Sequence, residues 1–253
     1  LLSANRGNYL SRMKSLFDKK GFKIKLFTLK ATDFGVLQNR KRVIILGIKK
    51  KCQFDFPRLD EITSKHNYTI QDLFDDLPKL SAGEGIRYVK YRKKCDGYVK
   101  KKSIRNGSDI LTQHITRPNN IQDKKIYEIA VKKWNNNKER INYNDLPEKL
   151  KSHKNRSSFG DRFKVVAADM PFSHTVVAHI AKDGHYYIHP DIRQNRSLSV
   201  REAARIQSFP DDYFFESIRD GSNRTAAFKQ IGNAVPPLMA QSIAREIMKV
   251  LRG

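Results

Sequence analysis

Five consecutive residues near the start of the chain combine two arginines with an amide at alternating positions. Residues 38–42 read Gln-Asn-Arg-Lys-Arg and lead into an apolar run, 42–48, that is rich in β-branched residues and is therefore predicted to be a buried strand. Because side chains alternate along a strand, Gln38, Arg40 and Arg42 are predicted to lie on one side. Their planar guanidinium groups can bind a phosphate and a base edge through paired hydrogen bonds, which a lysine cannot do. Taken alone, however, this pattern favours a basic strand end exposed to water.

Two longer motifs lie in the last quarter of the chain. A His-Pro pair at 189–190 is followed by 196–210, which reads RSLSVREAARIQSFP, and then by 229–237, which reads KQIGNAVPP. Ser199 and Glu202 have the spacing of a capping box, which predicts a helix that starts after the serine.

Together with 31–47, which reads ATDFGVLQNRKRVIILG, these motifs resemble the C-terminal signature blocks of DNA cytosine-5 methyltransferases. Their order and spacing match, with one long variable stretch between the first block and the second. The resemblance is close over about 1–48 and 186–250, and the middle matches only as a region. It implies an S-adenosylmethionine-dependent enzyme that flips a target cytosine out of duplex DNA, in a bacterial restriction-modification system. In that family a cysteine attacks C6, an acidic residue assists at N3, and C5 takes the methyl group.

The resemblance also suggests roles for individual residues. Gln38, Arg40 and Arg42 look like the set that positions the target cytosine and its phosphate, with Arg42 at the cytosine edge. The second motif is similar to the block that braces the recognition domain, through Arg196, Arg201, Glu202 and Arg205. Structural ion pairs on a capped helix are the plainer interpretation of that block, and here they coincide with the family role.

The third motif resembles the turn that returns to the cofactor pocket. Gly232, Asn233 and Ala234 are its central residues, and Gln230 precedes them. Glycine permits a tight backbone path, and the Asn233 amide can hydrogen-bond the methionine part of S-adenosylmethionine. A purely structural entry into the following helix is the alternative. In either case only part of the cofactor site is expected in this chain.

Several features of the family are not found in this sequence. These are the glycine-rich cofactor loop, the Pro-Cys nucleophile and the Glu-Asn-Val block. Neighbouring lysines can lower a thiol pKa, but neither Cys52 nor Cys95 has the family context of the nucleophile. Because the chain opens with Leu1 rather than Met, we expect a piece of a longer protein. Its N-terminal catalytic half would belong to the same polypeptide or to a separate subunit, and this chain alone is predicted to be inactive.

The periodicity predicts an α/β fold class, and the resemblance makes it the edge of a Rossmann-like methyltransferase sheet with a small, irregular, mostly-β target-recognition domain. Helical spacing over 9–17, strands at 23–29 and 42–48, a helix near 123–134 and a short strand at 186–188 are the main elements expected. The predicted segments are 1–52 as the edge of the catalytic domain, 53–225 as the recognition domain, and 226–253 as a return helix that packs on the catalytic domain.

Charge points to a polyanionic partner. The chain has 50 Lys and Arg against 26 Asp and Glu, a net charge of +24. Residues 85–156 hold 20 of the basic and 7 of the acidic residues, interleaved with tyrosines and a tryptophan. Double-stranded DNA is the expected partner, read in the major groove by residues within 87–177, with 173–177 a plausible part. A lysine-rich protein without such a partner is the alternative.

Other classes of protein are excluded or disfavoured by the sequence. No apolar run approaches a membrane span, no secretory signal is visible, and two cysteines form neither a disulfide framework nor a zinc site. We therefore expect a bacterial cytoplasmic location, no membrane partner and no metal. A non-catalytic DNA-binding module is the rival function, although it would need neither a cytosine grip nor a cofactor turn. An RNA-directed methyltransferase of the same family stays open, but the long basic insertion favours DNA.

Overall fold

The computed structural model describes residues 4–107, 109–216 and 224–252. Leu1 and Gly253, the outer ends of the predicted segments, lie outside these residues, as does part of the stretch before the boundary predicted at 225. The helices are α1 (Asn8–Lys19), α2 (Gln71–Phe74), α3 (Gly97–Lys101), α4 (Ile121–Asn137), α5 (Arg156–Phe159), α6 (Val200–Ile206), α7 (Arg224–Asn233) and α8 (Pro237–Arg252). The strands are β1 (Phe22–Lys30), β2 (Lys41–Lys49), β3 (Gly85–Lys90) and β4 (Ile110–Ile115). The chain is a mixed α/β protein.

The first helix and the first two strands confirm the prediction for the start of the chain. β1 and β2 pair antiparallel along their whole length, from Phe22 opposite Lys49 to Lys30 opposite Lys41. Between the strands the chain reverses through a short 3-10 turn and then Gly35, whose φ of +76° would strain any side chain. This reversal brings residues 38–42 to the mouth of β2.

The prediction that β2 is a buried strand is wrong. None of its residues is buried, whereas Phe27 and Leu29 of β1 are. Among the described residues β2 pairs only with β1, so its other edge carries no partner strand. An apolar, β-branched strand is therefore left half-covered because too few elements surround it.

The middle of the chain is not mostly β, and that prediction is also wrong. Between residues 53 and 216 the described strands are β3 and β4, which form a separate antiparallel pair. The predicted helix near 123–134 is confirmed as α4, capped by Asn120, whose side chain accepts from Asp123 N at 2.7 Å. Elsewhere short helices and side-chain hydrogen bonds satisfy backbone groups that a larger sheet would pair.

The buried cores cross the predicted segment boundaries. The largest core is built mostly from the middle of the chain, yet it includes Leu37 from the approach to β2 and Phe228 and Ile231 from α7. α8 instead shares a smaller core with β1, through Met239 and Ile243. α7 thus packs with the middle segment and α8 with the hairpin. The three-part division of the chain stays a prediction.

The elements near the C-terminus largely follow the sequence. The capping box is present: Glu202 N donates to Ser199 Oγ at 3.1 Å, and Ser199 N donates to Glu202 Oε2 at 2.7 Å. All seven residues of α6 are buried. The strand predicted at 186–188 is wrong, because only Ile188 makes isolated bridges within a turn. Its apolar residues fill the cores without extending into a ladder.

Candidate functional site

Residues 38–42 lie beside residues 173–177 at the entrance to β2. Ser173 N donates to Leu37 O at 3.0 Å, and Asn39 N donates to Ser173 O at 2.8 Å. This short parallel pairing fixes the path of the chain before β2 begins. Residues 173–177, expected in the recognition region, therefore lie against the motif that was expected to hold the nucleotide.

Exposure alternates along this motif as the sequence predicts. Gln38 and Arg40 are both 0% exposed, whereas Asn39 and Lys41 are exposed. Arg42 is half-buried. The side of the motif that carries Gln38 and Arg40 is therefore buried, and the side that carries Asn39 and Lys41 is exposed. Arg42 belongs to the first side and lies where that side reaches the surface.

Both ends of the Gln38 side-chain amide form hydrogen bonds to backbone groups of other segments. Its Nε2 donates to Ile206 O at 3.2 Å, and its Oε1 accepts from Val176 N at 2.9 Å. The side chain therefore joins the end of α6 to residues 173–177. With both ends engaged inside the protein, Gln38 fixes the position of the motif.

Arg40 joins the motif to the end of α7. Its Nη1 donates to Val176 O at 2.6 Å, and its Nη2 donates to Gly232 O at 2.7 Å and to Ala234 O at 2.9 Å. Carbonyls at a helix C-terminus lack partners within the helix, and a cation is favoured there. Asn233 lies between these two carbonyls in sequence, so the first and third motifs meet at one guanidinium.

Gly232 allows this meeting because it has no side chain. A Cβ atom there would stand 2.2 Å from Ala178 N and 2.3 Å from Val177 C. Both are backbone atoms, so neither can swing aside. α7 therefore ends in direct contact with the short turn Ala178–Ala181, and glycine is required for close approach.

Two polar side chains beside the Arg40 contacts, those of Arg42 and Asn233, still have hydrogen-bonding groups without a partner among the described residues. Arg42 donates from Nη1 to Lys41 O at 3.0 Å, and its side chain makes no other hydrogen bond to a described residue. Partial burial lowers the pKa of the Arg42 guanidinium, which nevertheless stays charged at neutral pH. The Asn233 side chain is exposed and bonds to no described residue. One cation and one amide are thus available to a ligand.

The second motif braces the middle of the chain, as predicted. Arg196 is fully buried and forms two hydrogen bonds of 2.7 Å to the Glu202 carboxylate. Its Nε donates to Leu80 O at 2.9 Å. Burial alone would raise the pKa of Glu202, but the adjacent Arg196 charge outweighs it and holds that pKa well below its usual range.

Arg205 and Arg201 complete the brace. Arg205 donates to Asp76 Oδ1 at 2.5 Å and to Asp211 Oδ2 at 2.6 Å, which ties α6 to the end of α2. Burial opposes its charge, but the two carboxylates raise its pKa above the ordinary value. Arg201 donates to the carbonyls of Thr112 at 2.9 Å and of Tyr213 at 2.8 Å. No sequence motif singles out Asp76, whereas Asp211 directly follows the 196–210 block.

Two buried histidines stand beside this brace, and one of them was not anticipated. His114 bonds through Nε2 to Pro78 O and through Nδ1 to Ser199 Oγ, both at 2.9 Å. A carbonyl only accepts, so Nε2 carries the proton and Nδ1 accepts from the serine. Burial lowers the pKa of His114 and of His189 to about 4 in each case. Both are neutral at pH 7.

The cysteines remain poor candidates for a nucleophile. Cys52 and Cys95 are free and half-buried. Burial raises the pKa of the Cys95 thiol, which disfavours the reactive thiolate. In the described ranges no cluster of three or more His, Cys, Asp or Glu side chains is arranged to hold a metal. No helix of those ranges has the length and hydropathy to span a membrane.

Comparison with known proteins agrees with the motifs. A family model described as C-5 cytosine-specific DNA methylase matches residues 1–249. The Type II methyltransferase M.Bpa9945I of Bacillus paralicheniformis is 42% identical over 100% of this chain and 59% of that protein. The Type II methyltransferase M1.HphI of Haemophilus parahaemolyticus is 31% identical over 99% of this chain and 54% of that protein. This chain spans little more than half the length of these curated relatives.

A solved structure shares the fold. Its description names a DNA modification methyltransferase encoded within a prophage of E. coli, and it superposes with a TM-score of 0.64. The match covers 98% of this chain and 67% of that chain at 20% sequence identity. At this identity the likeness concerns the arrangement of the backbone.

Proposed function

Since the chain belongs to the C-5 cytosine-specific DNA methylase family, we propose that it is the DNA-recognising, C-terminal part of a DNA cytosine-5 methyltransferase. The complete enzyme would flip a cytosine out of duplex DNA and methylate C5, in a bacterial restriction-modification system. Because its substrate would be the DNA of a bacterial cell, the enzyme would work in the cytoplasm. The nucleophilic cysteine would come from the part of the enzyme outside this chain, so this chain alone would be inactive.

The proposal rests on the arrangement of residues 38–42, in which two side chains are buried and a third reaches the surface beside them. Gln38 and Arg40 are buried and hold three distant segments together, while Arg42 reaches the surface next to them. Arg42 would bind the flipped cytosine or its phosphate with the free face of its guanidinium. Gln38 and Arg40 belong to the same sequence motif. They would act as positioning residues that hold Arg42 and the end of α7 in fixed positions relative to each other.

The end of α7 suits one wall of an S-adenosylmethionine site. Asn233 offers a free donor and a free acceptor, and the neighbouring Val235 exposes 37% of its surface, so a polar and an apolar contact stand side by side. Gly232 and Ala234 would shape the backbone there, since Arg40 fixes both of their carbonyls. S-adenosylmethionine, when bound, supplies the methyl group that is transferred.

The hairpin would pack on the part of the enzyme outside this chain and form the edge of its Rossmann-like sheet. β2 has one edge without a strand partner among the described residues. An apolar groove of about 260 Å³ runs beside it, lined by residues of β2, the segment after it and the end of α8. Exposed apolar surface of this kind marks an interface. The middle segment would then form the recognition domain and α8 the return helix.

A non-catalytic DNA-binding module is the second candidate. The basic stretch 85–156 would serve it equally well. A binding module, however, would not need a buried arginine that joins the motif at residues 38–42 to the motif at residues 229–237. The contact of Arg40 with Gly232 and Ala234 therefore favours the enzyme.

The proposal is tested by methyl transfer from labelled S-adenosylmethionine to duplex DNA. The intact protein is expected to produce 5-methylcytosine, and this chain alone is expected to produce none. Duplex RNA of the same sequence serves as the comparison substrate. DNA binding by the intact protein without any methylated product would support the binding module and overturn the enzyme.

A further inference from the structure

A basic cleft is lined by residues that include neither Arg42 nor Asn233. It measures about 460 Å³ and opens between α3, the turn after α6 and the first three turns of α8. Three cations line it, Lys101, Lys102 and Arg245, and no carboxylate does. The cleft thus gathers positive charge contributed by both the middle segment and the return helix.

None of these three cations is neutralised by an ion pair with a described residue. The salt bridges of the described residues involve other lysines and arginines throughout. Lys101 has an aromatic neighbour instead, with its Nζ 5.9 Å from the Tyr68 ring centre. Like charges that face one cleft repel each other, and an anion between them relieves that repulsion.

The wall of the cleft also offers a neutral donor. Ser208 is 2% exposed and is one of the residues that line the cleft, and its Oγ accepts from Leu238 N at 3.2 Å. That contact leaves the hydroxyl proton of Ser208 free to be donated. α8, a helix of 16 residues, begins at Pro237 on the same wall, but its first amides are not free: Pro237 has no N–H, Leu238 N donates to Ser208 Oγ and Ala240 N donates to Pro236 O.

We infer that this cleft is a phosphate-binding site. Three cations without a lining carboxylate and a buried hydroxyl with a spare proton together match the charge and the acceptors of a phosphate group. The phosphate would belong to the DNA backbone or to a free phosphate compound. The DNA source rests on the proposed function, whereas the free source does not.

The test removes the three cations in the intact protein with Lys101→Gln, Lys102→Gln and Arg245→Gln. Binding to a 30-base-pair duplex is followed by fluorescence anisotropy over a range of salt concentrations. If all three cations contact phosphates, the slope of log Kd against log salt falls by about 2.7. A separate titration with inorganic pyrophosphate, by calorimetry, tests the free source.

A matched triple variant, Lys14→Gln, Lys19→Gln and Lys20→Gln, removes the same charge from exposed positions outside the basic stretch 85–156. A fall in slope confined to the cleft variant supports the DNA source, and loss of pyrophosphate binding confined to it supports the free source. Equal effects of both variants, or no effect on either ligand, would overturn the site. Methylation is assayed separately, so failure of the proposed function is distinguished from failure of the cleft.

Discussion

The Nη2 atom of Arg40 donates to the carbonyl of Ala234 at 2.9 Å and, through the same nitrogen, to Gly232 O at 2.7 Å. One arginine therefore fixes the turn that carries Asn233 to the strand entrance that carries Arg42. Any change in that contact is expected to move Asn233 and Arg42 together, although no hydrogen bond between described residues joins these two side chains.

Replacing Arg40 with glutamine should destabilise the protein strongly. Two buried carbonyls and one partly buried carbonyl lose a charged donor, and each such loss costs about 1–3 kcal/mol, so a fall of at least 3 kcal/mol in the free energy of unfolding is expected. Urea denaturation measures it. Asn39→Ala changes an exposed neighbour that contributes only backbone hydrogen bonds, and it should shift the unfolding free energy by less than about 0.5 kcal/mol. Similar values for the two variants would show that Arg40 holds nothing together.

Replacing Arg42 with alanine in the complete enzyme should reduce turnover far more than DNA affinity. The expected loss in kcat is at least about 100-fold, because an interaction made with the flipped base acts on the transition state. The change in Kd for duplex DNA should stay within about threefold. Lys41→Ala, on the exposed row beside it, serves as the control with little effect on kcat. Equal losses of turnover and affinity would show that Arg42 binds a phosphate of the DNA backbone instead of the flipped base.

Adding one methyl group at Gly232 should be costly. A Cβ atom would overlap the backbone at Ala178 N, so Gly232→Ala is expected to lower the free energy of unfolding by about 1–3 kcal/mol or to displace α7. In β2, Gly47→Ala meets its nearest neighbour at 3.5 Å, an ordinary contact, and should be close to neutral. Thermal denaturation of both variants gives the comparison, and a Gly232→Ala protein as stable as the parent would contradict the close packing.

Acid should destabilise the fold between pH 6.5 and pH 4. Burial lowers the pKa of His114, His174 and His189 to about 4, whereas the unfolded chain titrates near 6.5. The unfolded state therefore binds more protons in this window, and stability is lost as the pH falls. Each histidine adds up to about 1.4 kcal/mol per pH unit to that slope.

The pH dependence can be assigned by substitution. His114→Gln keeps a donor for Pro78 O and an acceptor for Ser199 but does not titrate, so the slope should fall by up to about 1.4 kcal/mol per pH unit. His179→Ala removes an exposed histidine and should leave the slope unchanged. An unaltered slope in His114→Gln would mean that His114 is not held neutral by the fold.

The sequence predicts local structure and the members of the site better than it predicts their contacts. The alternation of residues 38–42, the capping box at Ser199 and the helix α1 follow from spacing alone. The partners of Arg40 do not, because they lie 136 to 194 residues away. Asp76 and His114 are likewise isolated in the sequence, and only the fold places them beside α6.

Two local predictions fail for the same physical reason. The apolar run in β2 is typical of a buried strand, and 186–188 is typical of a short strand, yet burial and pairing depend on neighbours that a local pattern does not specify. β2 has too few strands around it, and Ile188 is bridged on both sides by single residues instead of a ladder. Composition alone also gives no measure of how much sheet the lysine-rich middle can form.

The span between Arg40 and its acceptors has a consequence for biosynthesis. Gly232 and Ala234 leave the ribosome 192 and 194 residues after the arginine. At about 5–20 residues per second, roughly 10–40 s pass before these two carbonyls can bind the guanidinium, whereas Val176 O, 136 residues after Arg40, is available earlier. The partners of Arg205 in the brace around α6 precede Gly232 in the chain, so the brace can form before Arg40 binds the end of α7.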